Sequence, residues 1–327
     1  MFALVRSVVS MLAEPRDSVR DFFHAPADVR MFAALRIGYA TFLLINVLCW
    51  LPDLDKWYSE EGVLPLAASR QTIDAKCLTL FQILPTSRLV LHVCYGVFLF
   101  HIVALLVGWW PRVQAACCYV WLVSFHHRNN LLIEGEDTVF RVIGFLLIFM
   151  PLGTAWSIDS VRRSKTPSMT TPLMVDGWPL RLLQIEMAML YFSAAWSKLL
   201  GSAWRDGTAL YYVARLDEYW DHHLVPTWIV DSPWTIRGMT WMTLALEFSV
   251  PVLIWFPPTR RVALLMVILF HLGCDYAMHL FLFHWIMLVG WLSFATPDDA
   301  ALLRNLFRSA FHRLRQITGR SRRSTTD

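Results

Sequence analysis

Apolar runs of the kind that cross a lipid bilayer recur along the whole chain. A spanning helix needs about 20 such residues. The runs fall at Met31–Leu51, Leu89–Trp110, Val113–Phe125, Thr138–Leu152, Leu180–Leu200, Ile236–Phe256, Val262–Leu280 and Leu282–Ala295. The third, fourth and eighth are short, so polar flanks must complete them or they are partly re-entrant. The last long run divides around His279–His284. The pattern predicts an all-α integral membrane protein, a polytopic bundle of about eight transmembrane helices. Residues 1–30 are expected as an amphipathic cytoplasmic segment, 31–297 as the transmembrane domain, and 298–327 as a basic cytoplasmic tail. Met1 to Ala13 is apolar but short. Glu14, Asp17 and Asp21 follow where a signal peptide would carry a small-residue cleavage site, so a helix lying on the membrane fits better.

Composition agrees. Hydrophobic residues make up 56% of the chain and charged residues 17%, whereas a soluble domain is about half apolar and a quarter charged. The 16 Trp suit membrane interfaces, where indole rings gather. The net charge is only +4 and the basic residues are spread through loops, which excludes nucleic acid as a partner and leaves membrane lipid. Cationic loops face the cytoplasm. With the N-terminus inside, Arg6, Arg16, Arg20, Arg30, Arg112, Arg162, Arg163, Lys165, Arg260, Arg261 and the tail from Arg304 to Arg323 are all internal. Asp53, Asp55, Glu60, Glu61, Glu134, Glu136, Asp217, Glu218 and Asp221 are then external. An even number of spans satisfies both sets and puts both termini in the cytoplasm.

Ionisable residues inside a bilayer are costly and ask for a reason. Asp137 and Arg141 stand at the outer start of the fourth span, after His126, His127, Asn129 and Asn130 in the same outer turn. Lys198 stands at the outer end of the fifth. His271, Asp275 and His279 follow at intervals of four on the seventh, and so are expected on one helix face. Gln184, Tyr191 and Lys198 are seven apart and form one polar stripe. Each group also has an ordinary reading. Asp137 and Arg141 can neutralise each other as an i,i+4 pair, Lys198 can snorkel, and His271 can be a core histidine. Glu247 and Glu186 can do no more than pin their helices. The six Cys include no C-x-x-C pair and read as small apolar residues. No metal is expected. From His271 to His279 is about 12 Å of helix, too long for one ion, and no H-E-x-x-H occurs.

Several stretches in order resemble the horizontally transferred transmembrane (HTTM) domain family, related to the membrane domain of the vitamin K-dependent γ-glutamyl carboxylase. They are Trp57-Tyr58 with Gly62-Val63-Leu64-Pro65; Asn129 through Asp137 with Arg141; and Phe149-Met150-Pro151-Leu152-Gly153 with Trp156-Ser157-Ile158-Asp159. Further along come Arg181-Leu182-Leu183-Gln184-Ile185, Lys198-Leu199, Trp204 with Gly207 to Tyr212, and His271-Leu272-Gly273. The likeness covers roughly residues 20–297.

The resemblance implies that Lys198 is the base that deprotonates reduced vitamin K or another quinone. The resulting quinone alkoxide then drives γ-carboxylation of a glutamate and leaves as an epoxide. It implies a catalytic set of Lys198, Asp137 and His271, with Arg141, Asn130, Tyr191, Trp204, Tyr211 and Asp275 as binding residues. The carboxylase carries a histidine where this chain has Glu136-Asp137. The chain is expected to be the membrane core alone, without the carboxylase's long lumenal region. Core-only relatives take part in maturing a secreted peptide toxin, so the alternative is a non-catalytic membrane factor that matures or binds a secreted peptide or protein. Transport is disfavoured, because neither paired Gly/Pro-broken half-spans nor an inverted repeat is visible. The setting implied is a bacterial inner membrane.

Overall fold

Each of the eight apolar runs forms a helix in the computed structural model, which describes residues 15–72, 79–163, 173–216, 220, 225–302, 304–305 and 308–309. The segment up to Ala13, Lys165, the acids Asp217, Glu218 and Asp221, and the tail from Arg313 lie outside the described residues. A short helix α1 (Pro15–His24) leads into α2 (Val29–Cys49). There follow α3 (Arg88–Val107), α4 (Pro111–Arg128), α5 (Gly135–Leu147), α6 (Trp178–Leu200), α7 (Pro233–Leu253), α8 (Pro257–Ala277) and α9 (Phe283–Trp291). The chain divides into two units, Met1–Ser293 and Phe294–Asp327, and all of α1 to α9 belongs to the first.

The helix boundaries have local causes. Ser87 and Ser232 cap α3 and α7 through their hydroxyls, and proline opens α4, α6, α7 and α8, where its missing N–H is no loss. Asp28 caps α2 and also bonds Arg30. That hydrogen bond holds the Asp28 carboxyl below its usual range against the opposing effect of burial. The capping bond therefore persists at neutral pH and is lost only as pH falls through that lowered value. Gly108 ends α3 with φ +72°, a left-handed turn that glycine adopts freely.

Two features depart from the helical pattern. Pro26–Asp28 and Met174–Asp176 pair as an antiparallel ribbon, β1 with β2, with Ala27 opposite Val175. And α8 stops at Ala277, followed by an extended Met278. His279 therefore lies beyond the helix and is exposed; it does not continue the face of His271 and Asp275 as the spacing predicts.

Contacts far apart in sequence define the two ends of the bundle. At the ribbon end, Arg112 donates to Met150 O at 3.0 Å and Arg181 to Phe22 O at 3.1 Å, and the Phe22 ring lies 5.6 Å from Trp255. At the opposite end, Arg128 donates to Leu64 O at 2.8 Å and Ser59 O at 3.1 Å, and Asn129 to Trp57 O at 2.8 Å. Trp220 bridges Met278 there. Successive long helices thus run in alternate directions. The core between them is apolar, with Phe32, Phe98, Phe125, Phe140, Leu35 and Trp291 almost fully buried. Yet Leu89, Val93, Phe100, Val103 and Val107 on α3, and Leu265, Leu269, Leu272 and Tyr276 on α8, face outward. Among the described residues, two helices, Val29–Tyr58 (α2 with the turns after it) and Arg88–Val107, are long and apolar enough to cross a membrane. Several of the others are interrupted by charged residues such as Arg181, Glu186, Lys198 and Glu247.

Pro251 lies inside α7. A proline has no N–H to give to the carbonyl four residues earlier, and here that carbonyl belongs to Glu247.

Arg36 fastens the ribbon end. Its side chain is fully enclosed, donates to Leu152 O at 2.6 Å and bonds Trp156 O. It passes so close to Gly108 that a Cβ there would meet Nη1 at 2.6 Å. Replacing it with leucine strands two carbonyls, at about 1–3 kcal/mol each. Arg36→Leu is expected to lower the apparent melting temperature in detergent by several degrees, with Arg36→Lys losing less. A melting temperature unchanged in Arg36→Leu would contradict this role.

Candidate functional site

Two helices build a half-buried ion pair. Lys198 is two residues from the end of α6, and Glu247 is in the C-terminal half of α7. Helical side chains lean toward the N-terminus of their own helix, and α6 and α7 run in opposite directions, so the two lean toward one another. Lys198 Nζ meets both carboxylate oxygens of Glu247, at 2.7 and 2.8 Å. The lysine side chain keeps 26% exposure and the glutamate 8%. Nζ also lies 5.4 Å from the centre of the Trp204 ring. The amine is therefore turned into the bundle and not out to an interface.

Two turns earlier on α6, the Tyr191 hydroxyl is 2.6 Å from His271 Nε2 of α8. His271 Nδ1 is 3.0 Å from Nδ1 of His284, the second residue of α9. Trp291 packs edge-on against Tyr191 at 4.7 Å. All three members of this chain are buried. Glu247 is within electrostatic range of both Tyr191 and Cys274, and half-buried Asp275 is within range of His284. Gln184, the lowest member of the α6 stripe, donates to Ser293 O at 2.7 Å and accepts from Arg181 at 2.8 Å.

Asp137 belongs to a second cluster. It accepts from the Glu134 N–H at 3.0 Å, closing the capping box of α5. Its other oxygen is 3.2 Å from His126 Nε2, within ion-pair distance though not aligned as a hydrogen bond. Arg141 interacts with it electrostatically. Phe283 stands between the clusters. Its ring is 6.4 Å from the His271 ring on one side, and on the other a Cβ at Gly135 would lie 3.5 Å from it.

The structure thus brings Lys198, Tyr191, His271, Trp204 and Asp275 around one site. Asp137 and Arg141 fall in the neighbouring cluster. Asn130 starts a single 3-10 turn after α4. Tyr211 is exposed, with the Arg215 guanidinium 3.7 Å over its ring. Spacing along the chain shows neither Glu247 as the partner of Lys198 nor a site role for His284, which it marks only as a helix boundary. Glu247 is 49 residues from Lys198, so no local spacing announces the pair, although a mid-helix carboxylate was itself a signal that some cation must answer it. A small cavity of about 20 Å³, room for one water, lies elsewhere, between Ser59, Glu60, Ser87 and Arg128.

Apolar side chains outward and paired charges inward reverse the soluble pattern, and define a helical bundle of membrane character. The chain belongs to the HTTM domain family, which it matches over residues 25–298. Two proteins of Bacillus subtilis (strain 168) are similar to it. One is the uncharacterized protein YitO, 25% identical over 256 residues, 74% of this chain and 80% of YitO. The other is the sporulation-delaying protein SdpB, 25% identical over 185 residues, 53% of this chain and 54% of SdpB. No solved structure matches the chain.

Removing one member of a buried ion pair is far more damaging than removing both. Lys198→Met and Glu247→Leu are each expected to destabilise by about 2–4 kcal/mol, and the double variant to return to within about 1 kcal/mol of the parent. A double-mutant cycle in detergent measures the coupling, and simple additivity of the two losses would show that the pair is not formed.

Proposed function

We propose that this chain is an eight-span protein of a bacterial inner membrane, with both termini in the cytoplasm, whose Lys198 acts as a base on a reduced quinone or similar lipid-soluble substrate. The observation that carries this is the seat of the amine. It is held by a buried carboxylate, flanked by Trp204, and open on one side next to the outward-facing Trp196, Leu199 and Leu200. Within such a pair the proton has two homes, because a lysine can give it up in a dry site. A quinol hydroxyl arriving from the bilayer transfers its proton to the neutral amine. The ammonium then pairs with the quinolate, while Glu247, which now holds the pair's own proton, stays beside it as a neutral acid whose carbonyl oxygen accepts from the ammonium. Ion-pair electrostatics are strong there because water is largely excluded. The reading is carboxylase- or quinone-epoxidase-like chemistry at the outer half of the bundle, with a secreted peptide or protein as the second substrate.

The similarity to the sporulation-delaying protein SdpB favours a second reading. In it the chain is a membrane factor for maturation of, or interaction with, a secreted peptide, and Lys198 only joins α6 to α7. The two readings separate at one substitution. Arginine keeps the cation and the pair but does not deprotonate in a protein. With reduced vitamin K as the probe, Lys198→Arg and Lys198→Ala are both expected to lose turnover by about 100-fold or more, the scale of a lost general base. Parent-like consumption of the quinol by Lys198→Arg would remove the base role.

Topology is tested separately. In a cysteine-free background, Lys56→Cys is expected to react with an impermeant thiol reagent added to intact cells, and Arg162→Cys only after lysis. External labelling of Arg162→Cys would overturn the eight-span orientation.

A further inference from the structure

The histidine in α9 has a use that the base does not explain. His284 is 3% exposed, and its Nε2 is buried without a hydrogen-bond partner, while its Nδ1 faces Nδ1 of His271. Two neutral imidazoles that meet through the same kind of nitrogen must differ in tautomer, since only one can carry the shared hydrogen. The tyrosine hydroxyl sets the order, because it can donate to His271 Nε2. If Tyr191 donates to His271 Nε2, then His271 carries its hydrogen on Nδ1 and gives it to His284. His284 then carries its own on the unpartnered Nε2. The chain is directional, and its His284 end is a buried donor without a partner. One end, Tyr191, is within electrostatic range of Glu247 and Cys274, with Lys198 two turns further along the same helix. The other end, His284, is within electrostatic range of Asp275, which stands two residues before the end of α8.

We propose that Tyr191, His271 and His284 form a proton relay that carries protons between the Lys198–Glu247 pair and Asp275 at the outer end of the bundle. The proposal rests on the reading of Lys198 as a base, since a base that takes a proton from each substrate must pass it on. The proton count balances. His284 Nε2–H releases its proton toward Asp275, His271 Nδ1–H passes one to His284 Nδ1, and the Tyr191 hydroxyl passes one to His271 Nε2. Tyr191 is refilled from the Lys198–Glu247 side. Before and after, all three groups are neutral, and one proton has moved from the ion pair to the outer end. The path returns when a proton travels the opposite way, or when the rings and hydroxyl turn. His284 touches neither the amine nor Glu247, so it acts as a positioning and relay residue.

Two measurements test this without a substrate. Nitrogen NMR of protein labelled in histidine is expected to show one ring protonated on Nδ1, the other on Nε2, and a coupling across the two Nδ1 atoms. Two rings protonated on Nε2, or two imidazolium rings, would overturn the relay. In the second, a rapid pH jump is followed by the infrared band of the Glu247 carboxyl, assigned by its loss in Glu247→Gln. His284→Phe is expected to slow the response about 100-fold, the scale of a lost positioned proton carrier, without altering the final spectrum. An unchanged rate would refute the proposal. If His284→Phe fails to fold, Tyr191→Phe breaks the other end and must give the same slowing. Neither readout needs quinol turnover. A relay present in protein that leaves reduced vitamin K untouched would therefore count against the function proposed for Lys198 and not against the relay.

Discussion

An ammonium and a carboxylate taken out of water together hold the site in place. Each would be expensive alone in a low-dielectric interior, and together they are tolerable only at close range and in good geometry. Antiparallel helices meet that condition without special design. The N-terminal lean of side chains carries Lys198 back along α6 and Glu247 back along α7, so the two heads meet from opposite directions. The rest follows from where that meeting falls. It fixes α6 against α7, brings Trp204 over the amine, and leaves Tyr191 one layer closer to the middle, where α8 and α9 supply histidines and not further charge.

Arginine is used differently at the two ends. Arg36 and Arg128 are both enclosed, and their main partners are backbone carbonyls of irregular segments, Leu152 and Trp156 for one and Ser59 and Leu64 for the other. A loop that is buried must still satisfy its carbonyls, and a rigid fork of five donors does so for two carbonyls of one loop at once. The loops are thereby held to the helices, and the ends of the bundle stay closed around the site between them.

Much of this is legible in the amino-acid sequence. The eight helices follow the apolar runs to within a few residues, because most runs open at a proline or a capping serine or aspartate. The stripe of Gln184, Tyr191 and Lys198 was visible because a spacing of seven returns to one helical face. What could not be read was who faces the stripe. Glu247 looked solitary because its partner is on another helix. Asp137 had two neighbours four or more residues away, and local spacing favoured Arg141 where packing set His126 nearest. His284 passed unnoticed at a helix boundary, and the face expected to run through His279 ended early because α8 ends at Ala277. Periodicity reports which side of a helix is polar, and pairing is decided by the fold.

Pro251 gives the ion pair a mechanical setting. By withholding an N–H from the Glu247 carbonyl it leaves α7 with a missing rung at the residue that holds the amine, and a helix bends most readily where a rung is missing. A small flexure at that point swings the carboxylate toward or away from Lys198 while the halves of α7 above and below keep their packing. The freed carbonyl is itself an acceptor whose strength does not depend on the ionisation of the side chain. Glu247 therefore stands at a compliant joint, where the grip on the lysine can loosen and tighten without moving either helix as a whole.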